Sequence, residues 1–134
     1  MKAIVYNITT GEILKIVDMP EEFIPYQLND NEAFLEINEH VLDTTHYVLN
    51  GSVIPRPIQE TKLSKTTLTA DGIDIITITN APDGTFTAVN VITKDTITGT
   101  INGLDTFSTT IVGTYNITVT AWPYLDFETT IEAV

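Results

Sequence analysis

Short runs of alternating apolar and polar side chains, the period of a strand with one buried face, recur along the second half of the chain. Tyr115, Ile117, Val119 and Ala121 alternate with Asn116, Thr118, Thr120 and Trp122, and Phe127, Thr129 and Ile131 alternate with Glu128, Thr130 and Glu132. The same period sets Ile76 and Ile78 on one face of 74–79, Phe86 and Ala88 on one face of 85–89, and Phe107, Thr109 and Ile111 on one face of 105–111. Turn signals at Asp71-Gly72, Pro82-Asp83-Gly84, Asn102-Gly103 and Gly113 separate these runs.

Six or seven short strands over about 70 residues match the scale of a small immunoglobulin-like β-sandwich. Tyr115 follows the Gly113 turn and opens the most regular strand. In that fold a Tyr at this place bonds back through its hydroxyl to upstream backbone, so Tyr115 is expected to be a structural tyrosine corner.

The first half reads differently. Residues 3–7 and 13–17 are apolar runs around Thr9-Thr10-Gly11-Glu12, a hairpin; 33–37 is a further strand; 45–49 and 52–54 flank Asn50-Gly51, a strong hairpin turn. Together they predict a small sheet of about five strands. Asp18, Pro20, Glu21 and Glu22 resemble a helix start with Asp18 as the cap, limited to about one turn by Pro25. Pro55 and Pro57 then suit an extended connector. The expected division is an N-terminal β module over 1–59, given to docking, and a β-sandwich over 60–134, with the junction between about 55 and 65.

Composition supports an all-β chain: 24 Thr, 18 Ile and 10 Val make 52 of 134 residues β-branched. The asymmetry between halves is marked, with 20 of the 24 Thr after residue 60 and both His before it. Eighteen acids against six Lys and Arg give a net charge of -12, which repels phosphate backbones and anionic lipid, so neither nucleic-acid binding nor membrane insertion is expected. Without Cys there is no disulfide framework, thiolate metal site or cysteine nucleophile. No apolar run approaches a membrane span and no leader pattern opens the chain, so a soluble, unprocessed protein is expected.

Candidate chemistry is sparse. His40 and His46, with Asp43 between them, lack an identifiable third metal ligand or catalytic partner. Asp71, Asp74 and Asp83 lack calcium-loop spacing and read as a solvated acidic rim. Glu21-Glu22 has no partner for acid–base hydrolysis, and the sequons at Asn7, Asn50 and Asn116 are what so Thr-rich a chain produces by chance. The expectation is no enzyme, no catalytic residue, no metal and no cofactor. One stretch has the character of a recognition element: Trp122, Tyr124 and Leu125 around Pro123 follow the most regular strand, positioned to stack on a sugar or anchor a protein, or else to cap the open end of the sandwich.

Taken together, Lys2-Ala3-Ile4-Val5-Tyr6-Asn7 with Thr10-Gly11-Glu12-Ile13, then Thr45-His46-Tyr47-Val48, Asn50-Gly51 and Ile54-Pro55-Arg56-Pro57, resemble small virion proteins of tailed bacteriophages. In those proteins such a module precedes an immunoglobulin-like one with segments similar to Thr69-Ala70-Asp71-Gly72 and Gly113 to Val119. The resemblance spans nearly the whole chain. It implies a structural, tail- or fibre-associated role in the virion, assembled after synthesis in the host cytoplasm, with the immunoglobulin-like part as a display or adhesion module. The implied partners are other virion proteins and, weakly, host-surface glycans. The alternative is a capsid decoration protein displaying the same domain.

Overall fold

The structure, a computed structural model, describes residues 1–38, 40–103 and 105–134. Strands occupy 49% of the chain and helix 5%, an all-β arrangement with several sheets. The chain divides into two compact units, Met1–Arg56 and Pro57–Val134.

In the first unit β1 (Lys2–Asn7) is the central strand, flanked antiparallel by β2 (Ile13–Asp18) and β3 (Glu32–Glu36). Being central, β1 buries both faces: Ala3, Ile4 and Val5 are all fully buried, so it reads as a continuous apolar run and not as an alternation. The register with β2 slips between Val5 and Tyr6, a bulge that leaves Leu14 opposite no β1 residue. A 3-10 helix follows at Glu21–Gln27, with Pro25 inside it and Ile24 fully buried. Its N-cap is Pro20, which makes no side-chain cap bond; Asp18 belongs to β2, so the expected aspartate cap is not formed.

The two strands β4 (His46–Leu49) and β5 (Ser52–Pro55) form a separate hairpin. Asn50 and Gly51 both have positive φ, 52° and 75°, the requirement of a two-residue type I′ turn. The expected five-stranded sheet is therefore three strands plus a hairpin, joined by the Glu12–Tyr47 bridge and by the Val48 N–H donating to Gly11 O at 2.9 Å. Ile4, Ile13, Ile37, Val41 and Val48 form the core shared by both pieces.

The second unit holds β6 (Lys62–Leu63), β7 (Thr67–Leu68), β8 (Ile76–Thr79), β9 (Gly84–Asn90), β10 (Thr96–Ile101), β11 (Asp105–Phe107), β12 (Gly113–Thr120) and β13 (Phe127–Ala133). They form a five-stranded sheet, β10-β9-β12-β13-β7, and a three-stranded sheet, β11-β8-β6. All pairs are antiparallel except β13 with β7. Alternation decides which side chains meet: Tyr115, Ile117 and Val119 of β12 face inward with Ile76 and Ile78 of β8, Phe86 and Ala88 of β9, and Ile131 of β13. Phe107 ties the sheets together, its ring 5.7 Å from Phe86 and edge-on to Tyr115 at 5.6 Å. Burying each such side chain stabilises by about 1.5–3 kcal/mol, so this shared core and not strand propensity holds the unit.

The anticipated strand over 105–111 stops at Phe107. Thr109 is buried but Ile111 is exposed, because the Thr109 hydroxyl accepts the Ile111 N–H at 3.2 Å and turns the chain.

The two units divide at 56/57, inside the 55–65 window. Pro57 O accepts the Leu125 N–H at 2.8 Å, and Gln59 and Thr61 are buried among second-unit residues, so 57–61 is part of that unit and not a free connector.

Candidate functional site

The corner after β12 is built by backbone turns and one buried side chain. The Tyr124 N–H closes a turn onto Ala121 O at 2.7 Å, and the Trp122–Pro123 peptide is cis. Gln59 Nε2 donates to Val119 O at 2.7 Å and to Leu125 O at 3.0 Å, while its Oε1 accepts the Thr61 hydroxyl at 2.6 Å. Every polar atom of the Gln59 amide is used, the condition under which a buried amide is tolerated.

Segment 58–61 thus alternates with inverted polarity: Gln59 and Thr61 point in, Ile58 and Glu60 point out. A hydrophobic-pattern reading misses it, since that reading expects the isoleucine inside.

Of the three expected interaction residues, Trp122 is 39% exposed, while Tyr124 and Leu125 are half-buried. Tyr124 lines an open groove of about 540 Å³ with Ile58, Glu60, Asn80, Ala81 and Pro82. Leu125 lines a neighbouring depression of about 270 Å³, also bordered by Ile58. Trp122 lines neither, so the three residues do not converge on one cavity.

At the other end of β12, Tyr115 is fully buried and its hydroxyl donates to Ile111 O at 2.8 Å, four residues upstream. With that proton committed, the Thr109 hydroxyl 2.9 Å away donates to the Tyr115 oxygen, and Thr109 in turn accepts from Ile111 N. Beside it lies Asn90, fully buried at the end of β9. Its Oδ1 accepts the N–H groups of Ile92 at 3.0 Å and Thr93 at 3.1 Å, and its Nδ2 donates to Val112 O at 3.4 Å. Gly113 has φ 140°, and a Cβ there would meet Asn90 Nδ2 at 2.9 Å, so a glycine is required both by backbone conformation and by the close amide. Asn90 escaped the sequence reading; an Asn at the end of an alternating strand, with Thr93-Lys94-Asp95 three residues on, was its only signal.

Asp71 and Asp74 are engaged locally. The Asp71 carboxylate accepts the N–H groups of Asp74 and Ile73, which hold its pKa below the ordinary 3.8. Asp74 is lowered by its bond from Lys65 and then by the Thr69 N–H. Among the described residues no three His, Asp or Glu side chains gather as a metal site. His40 is exposed, and His46 Nδ1 lies 2.7 Å from the Thr45 hydroxyl. Among the described residues no helix is long and apolar enough to cross a membrane.

No protein-family model, curated protein or solved structure matches this chain.

Proposed function

We propose that the chain is a non-enzymatic structural component of a tailed-phage virion, tail- or fibre-associated, whose second unit is an immunoglobulin-like domain. The observation that carries the domain reading is strand order. With β6, β8, β9, β10, β11, β12 and β13 taken as strands A, B, C, C′, E, F and G, the sheets are A-B-E and C′-C-F-G, and β7 continues strand A onto the second sheet beside G. Tyr115, at the start of the F position and bonded back to Ile111 O, supports the same reading as a tyrosine corner.

The virion role rests on the sequence resemblance together with this pairing of a small β unit and a larger β unit. The first unit, with its own small core, serves as the docking part, and the second projects with Asn116, Thr120 and Thr130 turned to water. The groove beside Tyr124, with Glu60 and Asn80 on its walls, suits weak sugar binding.

Particles carrying an epitope-tagged full-length chain, purified and imaged, test the proposal. Density for the tag on the tail is the expected result. A regular array on the capsid lattice would move the role to decoration, and absence of the chain from washed particles would overturn it.

A further inference from the structure

The end of the second unit that carries loops 69–75, 91–95 and 108–112 presents aliphatic side chains to solvent. Ile73 and Ile92 are each 82% exposed, Val112 64% and Ile111 44%. Strand direction brings the three loops to one end: loop 69–75 precedes β8 and 108–112 follows its antiparallel neighbour β11, while 91–95 follows β9 and 108–112 precedes its antiparallel neighbour β12. Direct bonds join them, from the Gly72 N–H to Thr109 O at 3.1 Å and from Asn90 Nδ2 to Val112 O.

Each loop uses one device. A side-chain oxygen accepts the N–H of an isoleucine two residues on: Asp71 to Ile73 at 2.8 Å, Asn90 to Ile92 at 3.0 Å, Thr109 to Ile111 at 3.2 Å. Two of the three acceptors are buried, and Ile111 is held a second time through Tyr115. The exposed isoleucines therefore sit on backbone that is already fixed, which lowers the ordering cost of binding through them. Aliphatic side chains so held outward have no role in the unit's own core, which closes without them.

We infer that Ile73, Ile92 and Ile111, with Val112, form a preorganised docking tip for an apolar pocket rimmed by Lys or Arg on a partner protein. Charge selects that occupant. In the same loops Asp71, Asp74 and Asp95 outnumber Lys94, and although Lys65 pairs with Asp74 the tip stays net acidic in a chain of net charge -12, so a basic rim is attracted and a second tip of this chain is repelled. A lipid surface fits poorly, since the three loops contain no Trp or Tyr to anchor at the headgroups. The inference is independent of the virion reading.

The test uses the full chain labelled at isoleucine δ1 methyls and, as stand-in for the partner, an amphipathic helical peptide of Leu and Lys, with a Leu and Glu peptide as control. The Leu/Lys peptide should shift the methyl resonances of Ile73, Ile92 and Ile111, and the Leu/Glu peptide should not. In the Ile73→Thr/Ile92→Thr/Ile111→Thr variant peptide affinity should fall at least tenfold with the melting temperature unchanged; Ile73→Thr/Ile92→Thr replaces it should the triple variant not fold. Unchanged affinity in the variant, or equal shifts from both peptides, would overturn the inference. So would binding to phosphatidylcholine vesicles, or a dimer in sedimentation, that the variant loses.

Discussion

The two ends of the second unit are finished in opposite ways. At the end where Pro57 enters, the Trp122–Leu125 corner is secured from outside the strands, by Gln59 of a preceding segment, which bonds to Val119 O and Leu125 O and is itself held by the Thr61 hydroxyl. At the other end each loop is secured from within or beside itself, by Asp71, Asn90 and Thr109 acting on residues two and three positions on. The first kind of end depends on chain some sixty residues away in sequence, and the second on local turns set in a buried amide and phenol. The difference teaches which end survives when the chain is cut or its side chains are shortened.

The largest effect is expected from truncation. A fragment of residues 57–134 retains β6, Gln59 and Thr61 and should unfold cooperatively. One of residues 66–134 loses β6, the partner of β8, and every bond into the corner, and should show no cooperative transition. Denaturant melts of the two fragments check this. Equal stability would erase the contrast between the ends.

Next come the two buried amides. Each has three partners, Asn90 two N–H groups and one carbonyl, Gln59 two carbonyls and the Thr61 hydroxyl, which can turn elsewhere, and a buried N–H is less often left orphaned than a carbonyl. Asn90→Ala should therefore cost about 3 kcal/mol and Gln59→Ala about 2 kcal/mol. A larger loss at Gln59, measured by urea midpoint, would show the distant anchor to be the stronger one.

These amides also mark where the sequence was readable. Strands β12 and β13 were legible because each has one buried face, and the Asn50-Gly51 hairpin because its turn demands positive φ at both positions. Tyr115 was legible from its place after Gly113. Strands β6 and β7 were not: they are two residues each, too short for a period to register, and β7 pairs in parallel with a strand that follows it by about 60 residues. Segment 58–61 was hidden by its inverted polarity, whereas β1, buried on both faces, was legible as a continuous apolar run before the Thr9-Thr10-Gly11-Glu12 turn. The site was less legible than the fold, because Trp122, Tyr124 and Leu125 are neighbours in sequence yet line different surfaces, whereas Ile73, Ile92 and Ile111 lie far apart in sequence and share one end.

A smaller effect should follow Tyr115→Phe, which leaves the ring against Phe107 and removes only the hydroxyl. Ile111 O and the Thr109 hydroxyl each lose a partner, for a cost of about 1 kcal/mol. The loss should concentrate in hydrogen exchange of 108–112 and leave the Tyr124 turn unchanged. Equal acceleration at both ends would mean that the phenol supports the whole core and not its own loop.

The smallest effect is electrostatic. Asp71 is held below 3.8 chiefly by the Asp74 N–H and then that of Ile73, and Asp74 chiefly by Lys65 and then by the Thr69 N–H. A carboxylate with a lowered folded pKa stabilises fully above its unfolded value and loses that contribution as pH falls through the folded one, since the unfolded chain binds protons first. Stability from this pair is thus constant above about pH 4 and declines below it. Asp71 is exposed and Asp74 half-buried at the surface, so the decline is modest and screened by salt. At the corner the bonds of Gln59 and Thr61 are neutral and have nothing to titrate. Asp71→Asn/Asp74→Asn should therefore flatten the dependence of melting temperature on pH between pH 5 and pH 3. A variant with the same acid slope as the parent would assign that slope to the other sixteen acids and remove charge from what distinguishes the two ends.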